Sequence, residues 1–139
     1  MTATSRPVRQ KPETLRARDI TPGLTVNDLA RSIRFYTDGL GFIMHERWED
    51  GGQLLGVMLK AGSCHLGLSQ DDWAKGRDRV KGVGMRVWIT TTQDIDEMAE
   101  RARAAGIQLD HEPQEMEWGA RAFAVTDPDG FKLTIAHHT

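Results

Sequence analysis

Leu24-Thr25-Val26-Asn27-Asp28-Leu29, followed by Gly39-Leu40-Gly41-Phe42, reads as an apolar strand, a helix cap, a short helix and a glycine stop. The same order returns in Val87-Trp88-Ile89, Gln93-Asp94 and Gly106-Ile107, and short strands follow each copy. Repetition of one supersecondary unit restricts a fold more than any local propensity, because each copy must bury the same face. In the first copy Asn27 or Asp28 can accept hydrogen bonds from the free amides of the first helical turn. Leu29, Ile33, Tyr36 and Leu40 then recur at helical spacing, with Arg31, Arg34 and Asp38 on the wetter side. In the second, Asp94 or Asp96 caps, Ile95, Met98, Ala99 and Ala102 form the stripe, and Gly106 releases the chain. Both helices are short and amphipathic, so each needs a sheet to cover.

The strands alternate. Cys64-His65-Leu66-Gly67-Leu68-Ser69 sets Leu66 and Leu68 on one face and His65, Gly67 and Ser69 on the other. Lys132-Leu133-Thr134-Ile135-Ala136 repeats the pattern through Leu133 and Ile135. Met85, Val87 and Ile89 share a face, leaving Arg86 and Trp88 opposite. Packing the aliphatic faces on the helices turns the opposite faces toward a cleft. Asp50-Gly51-Gly52 and Ala61-Gly62-Ser63 read as hairpin connections. Asp127-Pro128-Asp129-Gly130 is a strong turn: Pro fixes φ at the first central position and Gly tolerates positive φ. The fold class is therefore α+β: two tandem βαβββ modules, about 19–70 and 83–138, within one domain over 19–139. The linker 71–82 is highly charged and carries Trp73. It reads either as a solvated connection anchored by that indole or as a flap over the cleft.

A chain of 139 residues is most simply one domain. Residues 1–18 carry Arg6, Arg9, Lys11, Arg16 and Arg18 against Glu13, a charge of +4; the remainder carries −6, for a total of −2. Pro7, Pro12 and the lack of apolar periodicity mark 1–18 as a disordered basic leader. The acidic body argues against a nucleic-acid partner, which requires clustered cations. Cys64 is alone, which excludes an intramolecular disulfide and a cysteine-based zinc site. No segment approaches the roughly 18–20 apolar residues of a membrane span. The leader also lacks the apolar centre of a secretory signal. A cytoplasmic location without a membrane partner is expected.

Val26-Asn27-Asp28-Leu29, Phe35-Tyr36, Leu40-Gly41-Phe42, Trp118-Gly119-Ala120-Arg121 and Asp127-Pro128-Asp129-Gly130-Phe131 together resemble the vicinal oxygen chelate superfamily. That group includes glyoxalase I, extradiol dioxygenases, fosfomycin-resistance transferases and bleomycin-resistance proteins. The resemblance covers about 19–138. It implies modules of four strands and one helix whose mixed sheet curls around a central cavity, and a homodimer. It also implies four metal posts, which map to Thr21, Gly67, Thr134 and one of Met85, Arg86 or Val87, strand parity favouring Arg86. None offers an imidazole or carboxylate, whereas a catalytic divalent ion wants about three such ligands. No metal or other cofactor is expected. The remaining route to a metal is a displaced site using His65 with His45 or His138.

Without a metal the cleft reads as aromatic and cationic. Arg86 and Trp88 face inward by alternation, Trp118 and Arg121 flank the entry to the last strands, and Trp48, Met58 and His65 are plausible neighbours. Indoles offer broad surfaces to planar ligands, and arginine adds a fork of donors. Each has a plainer role: Trp48 sealing a sheet edge, Trp118 plugging the barrel end, Arg121 pairing with Glu115 or Glu117. Ser63, Ser69 and Cys64 have no identifiable His–acid constellation, and no phosphate-binding glycine loop is present. The expected function is metal-free binding of a small aromatic or amphipathic molecule, an antibiotic or toxin among the candidates. The rivals are a lyase, isomerase or dioxygenase of the same superfamily, and an interaction module whose sheet serves mainly as a dimer interface.

Overall fold

The computed structural model describes residues 11–138. The first ten residues of the expected leader lie outside the described residues; residues 11–20 carry no helix or strand and are exposed. The elements run β1 (Gly23–Val26), α1 (Leu29–Arg34), β2 (Ile43–Asp50), β3 (Gln53–Ala61), β4 (Cys64–Gln70), β5 (Arg86–Thr90), α2 (Ile95–Ala104), β6 (His111–Glu115), β7 (Ala120–Thr126) and β8 (Lys132–His138). Strand order is β1-β4-β3-β2 in one sheet and β5-β8-β7-β6 in the other. The outer pairs β1–β4 and β5–β8 are parallel and the remaining pairs antiparallel. This is the doubled α+β architecture that the sequence pattern predicts.

Asp28 caps α1, its carboxylate accepting from the Arg31 amide at 3.2 Å. Asp94 caps α2, accepting from the amides of Asp96 and Glu97 at 2.9 and 3.2 Å. After Arg34 the first helix widens into a π-helical turn, Phe35–Gly39, where Thr37 Oγ1 donates to the Ile33 carbonyl at 2.8 Å. Such widening rotates the following side chains off the α-helical phase. Tyr36 on this turn is fully buried, with Phe35 and Phe42 packed edge-on against its ring.

The helix-facing sides of both sheets meet in one core. Leu24, Val26, Val57, Leu59, Leu66 and Leu68 from the first sheet join Phe123, Val125, Leu133 and Ile135 from the second, with Tyr36, Ile95 and Ala99 from the helical segments. Each fully buried aliphatic side chain contributes roughly 1.5–3 kcal/mol relative to exposure. The opposite faces of the sheets stay open.

The Asp127–Gly130 turn fastens the second module to the first. The buried Asp127 carboxylate accepts from Tyr36 Oη at 2.7 Å and from the amides of Asp129 and Phe131, both at 2.9 Å. Asp129 accepts from the Asn27 amide at 2.9 Å and from Ser32 Oγ at 3.4 Å. Burial, followed by the neighbouring carboxylates, pushes the Tyr36 hydroxyl up. Burial also raises the Asp127 carboxyl, against the pull of its hydrogen bonds. The pair of aspartates is thus a structural clamp, as the Pro-Gly frame suggests.

The linker is tied at both ends. Asp71 and Lys81 pair at 2.8 Å with side chains only 3% and 5% exposed, and Arg79 joins at 3.2 Å. Lys81 also donates to Asn27 Oδ1 at 2.6 Å. Between these ends Arg77 stands over the Trp73 ring, 4.6 Å from its centroid.

Candidate functional site

The open face of the second sheet holds a hollow of about 380 Å³, within the range of small-molecule sites. Alternation builds it. On β7, Phe123 and Val125 point into the core, and Ala122 and Ala124 form a low floor. On β8, Leu133 and Ile135 go to the core and Thr134 to the hollow. On β5, Val87 and Ile89 pack on the core while Arg86 and Trp88 line the hollow. Small residues on the central strands and large ones at the rim make a concavity on the open face of the sheet.

Trp88 and Trp118 meet edge to face with centroids 5.7 Å apart, and the His138 ring lies 5.4 Å from Trp118. Although paired, Trp88 remains 60% exposed and Trp118 44%. Arg86 Nη1 donates to Thr134 Oγ1 at 3.0 Å, which fixes the guanidinium beside the indoles. Lys132, Met116, Asp110 and His111 stand around the rest of the hollow.

Of the residues singled out from sequence, Arg86, Trp88 and Trp118 come together here. Trp48, Met58 and His65 belong instead to the first sheet. Trp48 sits on edge strand β2, opposite Gly56 of β3, and its indole covers that glycine. Met58 lies opposite Gly67. His65 Nδ1 is 3.3 Å from Asp19 Oδ2, within ion-pair range but off the alignment of a hydrogen bond, and the His45 ring is 5.1 Å away.

Arg121 joins neither group. It donates to both Asp96 oxygens at 2.7 and 2.8 Å and to Glu115 at 3.5 Å. Its place in the cleft is corrected by parity: Arg121 alternates with Ala122 and so shares the helix-covered side of β7 with Phe123. There the fork of donors grips the first turn of α2. The hydrogen bond to Asp96 is the main reason that the guanidinium is raised and the Asp96 carboxyl lowered. The partner Glu115 was legible in the sequence; Asp96 was not.

Thr134, one of the four mapped posts, faces the hollow as expected from alternation around Leu133, and the same alternation brings in Lys132, which the sequence reading leaves out. Ala122 and Ala124 are legible in the same way, as small residues at every second position of a strand.

The four positions at which the superfamily resemblance would place metal ligands carry unsuitable donors. Thr21 donates its hydroxyl to Asp19 at 2.9 Å. Gly67 has no side chain, and Arg86 and Thr134 are hydrogen-bonded to each other. A guanidinium at close range repels a divalent ion. Among the described residues no group of three or more His, Cys, Asp or Glu side chains is arranged to hold one.

A wider hollow of about 540 Å³ lies between α1 and the α2–β6 connection, lined by Arg31, Arg34, Phe35, Ile107 and Pro128 among others. It lacks the tryptophans and the preset guanidinium of the smaller one. The smaller hollow is the better site because its walls, floor and polar group converge.

Two βαβββ units, sharing one core and leaving one face open on each sheet, define a two-module α+β protein. The chain belongs to the Glyoxalase/Bleomycin resistance protein/Dioxygenase superfamily, whose profile matches residues 19–135. The bleomycin resistance protein of Geobacillus stearothermophilus is 32% identical over 118 residues, covering 78% of this chain and 87% of its own. The glutathione transferase FosA of Serratia marcescens is 28% identical, covering 81% of this chain and 74% of its own. TioX from Micromonospora sp. ML1 has the same fold, with a TM-score of 0.71 at 21% identity over 88% of this chain and all of its own.

Proposed function

We propose that the protein binds and sequesters a small aromatic or amphipathic molecule, without a metal, in the hollow over its second sheet. The observation that carries this reading is the Trp88–Trp118 pair, left open beside Arg86 above a floor of alanines. Exposed indoles lose favourable contact with nothing and gain it with any planar guest. Kinship with a bleomycin resistance protein supports a binding role. The superfamily also contains enzymes, FosA among the relatives, but Thr21, Gly67, Arg86 and Thr134 supply no donors for a shared metal chemistry.

The functional unit in this reading is a homodimer in which a second copy covers the open faces. Trp48, Met85, Trp88 and Trp118, all at least 40% exposed, support it, because soluble monomers rarely leave such apolar area uncovered. No helix among the described residues is long and apolar enough to cross a membrane.

Tryptophan-fluorescence titration with a chemically broad panel of planar compounds tests the binding role. Saturable quenching that Trp88→Ala abolishes is expected. No saturable response to any member of the panel would overturn it. Sedimentation at micromolar concentration tests the dimer, for which twice the chain mass is expected.

A further inference from the structure

The rim of the hollow is charged unevenly, and that unevenness specifies its guest more narrowly than shape does. Arg47, Arg79, Arg103, Arg121 and Lys81 all stand within ion-pair distance of a carboxylate. Arg86 does not: its interaction within the described residues is the neutral hydroxyl of Thr134. That bond uses one guanidinium nitrogen and orients the group, and the remaining donors keep no carboxylate partner. A second cation, Lys132, lines the same hollow and donates to Thr126 Oγ1 at 3.4 Å. The acid present, Asp110, accepts from that same threonine hydroxyl. His111 is occupied by Gln114 through Nε2 and by the Glu112 carbonyl through Nδ1. The hollow thus carries one cation with a free fork, one cation and one acid sharing a hydroxyl, and two indoles.

We infer that the guest is a planar aromatic anion, a ring bearing a carboxylate or an equivalent oxyanion, with the ring against Trp88 and Trp118 and the anion on Arg86. This inference rests on the proposed binding function and adds its charge class. The edge-to-face indoles present one flat face and one edge, a corner that accepts a ring better than a chain. A carboxylate meets the guanidinium fork through two parallel hydrogen bonds. The alanine floor lowers the local dielectric and strengthens that contact relative to water. A cationic ring would meet Arg86 and Lys132 with like charge. A cationic guest such as bleomycin is therefore disfavoured, although a bleomycin resistance protein is among the relatives.

Three probes of one shape separate the possibilities: 2-naphthoate, neutral 2-naphthamide and cationic 2-naphthylmethylammonium, titrated by tryptophan fluorescence into the full chain. Naphthoate is expected to bind at least about tenfold more tightly than the amide, as one charge-assisted contact would give. It should exceed the cation by more. Arg86→Gln should bring naphthoate down to the affinity of the amide, and Arg86→Lys should fall between, keeping the charge but losing the fork. Arg121→Gln removes the same charge away from the hollow and should leave the ratio of the two affinities unchanged. Equal binding of anion and amide, or tighter binding of the cation, would overturn the charge assignment while leaving sequestration standing. Failure of all three probes to saturate would overturn this inference, and the binding reading falls with it only if the broad panel of planar compounds also gives no saturable response. Circular dichroism of Arg86→Gln establishes that a lost preference is not lost folding.

Discussion

The two modules arrange their strands in the same order, yet their open faces carry different chemistry. The first presents polar groups already in contact, His65 with Asp19 and Thr21 with Asp19, beside the bare Gly67. The second presents two exposed indoles, alanines and an arginine without a carboxylate. Their connections differ too. The Gly62-Ser63 hairpin of the first module is an exposed turn, whereas its counterpart, Asp127–Gly130, clamps the helix of the other module. What duplication preserves is the set of faces that must be buried. The faces left open are free to diverge, and the site resides there.

The modules should respond most strongly at the contact between linker and clamp. Gly82 has φ +73° and a Cβ there would lie 2.2 Å from the Gly130 carbonyl carbon, backbone against backbone. Gly84 has φ +72° but nothing within 4 Å of its would-be Cβ. Left-handed strain alone costs about 1–2 kcal/mol, and forced overpacking about 1–3 kcal/mol more. Gly82→Ala should therefore lose about 2–5 kcal/mol in urea unfolding, and Gly84→Ala only the strain. Equal losses would mean that the linker does not dock on the clamp.

The clamp itself comes next. Asp127→Ala strips the buried Tyr36 hydroxyl and the Phe131 amide of their acceptor. Each orphaned buried donor costs about 1–3 kcal/mol, and removing a carboxylate disfavoured by its burial offsets part of the two, so a net loss of about 2–4 kcal/mol is expected. Ser63→Ala, at the corresponding turn of the first module, should stay within about 0.5 kcal/mol, as for ordinary surface changes. A similar cost at both turns would erase the asymmetry between the modules.

Acid should open the linker before the clamp. The hydrogen bond from Lys81, then the Trp73 amide, lowers the Asp71 carboxyl to about 2. A depressed carboxyl stabilises the fold above its unfolded value of about 3.9 and loses that contribution as pH falls through the folded value. Asp127 is raised instead, so protonation relieves its burial rather than removing a stabilising charge. The difference in urea midpoint between the wild type and Asp71→Asn should thus be constant above about pH 4 and close toward pH about 2. A difference that does not change with pH would show that the Asp71 charge is irrelevant to the clasp.

These contrasts also show which parts of the molecule could be read from the chain. Caps, apolar stripes and strand parity are local, so a cap at Asn27 or Asp28, another at Asp94 or Asp96, and the order of elements are legible in the chain, while the choice of Asp28 and Asp94 is not. Parity likewise selected Arg86 and Trp88. The same parity along Ala120–Thr126 sets Arg121 with Phe123 on the helix side. The module bounds already separate Trp48, Met58 and His65 from Trp118, but that the hollow is lined by the second sheet alone follows from how the modules pack, which no period in the sequence encodes. The grip of Arg121 on Asp96 spans 25 residues and joins β7 to the first turn of α2, a contact between elements that no local pattern marks. The Asp71–Lys81 clasp lay inside a charged stretch whose composition reads equally as solvated chain.

Gly67 gives the smallest effect and the most direct reading of the first module's open face. A carboxylate at this position would be one of the ligands that the superfamily resemblance calls for, so its absence needs a cause. If packing forbade a side chain, the vacancy would say nothing about function. The space is there: a Cβ would meet the Pro22 carbonyl at 3.7 Å, Gly23 Cα at 3.8 Å and Met58 Cε at 3.9 Å, all ordinary contacts. The backbone is not left-handed at this residue, so no strain opposes a side chain either. Gly67→Ala should accordingly change stability by less than about 0.5 kcal/mol, with a small gain expected from the lower entropy of the unfolded chain. A loss above about 1 kcal/mol would return the glycine to a packing role. A neutral result leaves chemistry as the reason that this face carries no ligand where the scaffold has room for one.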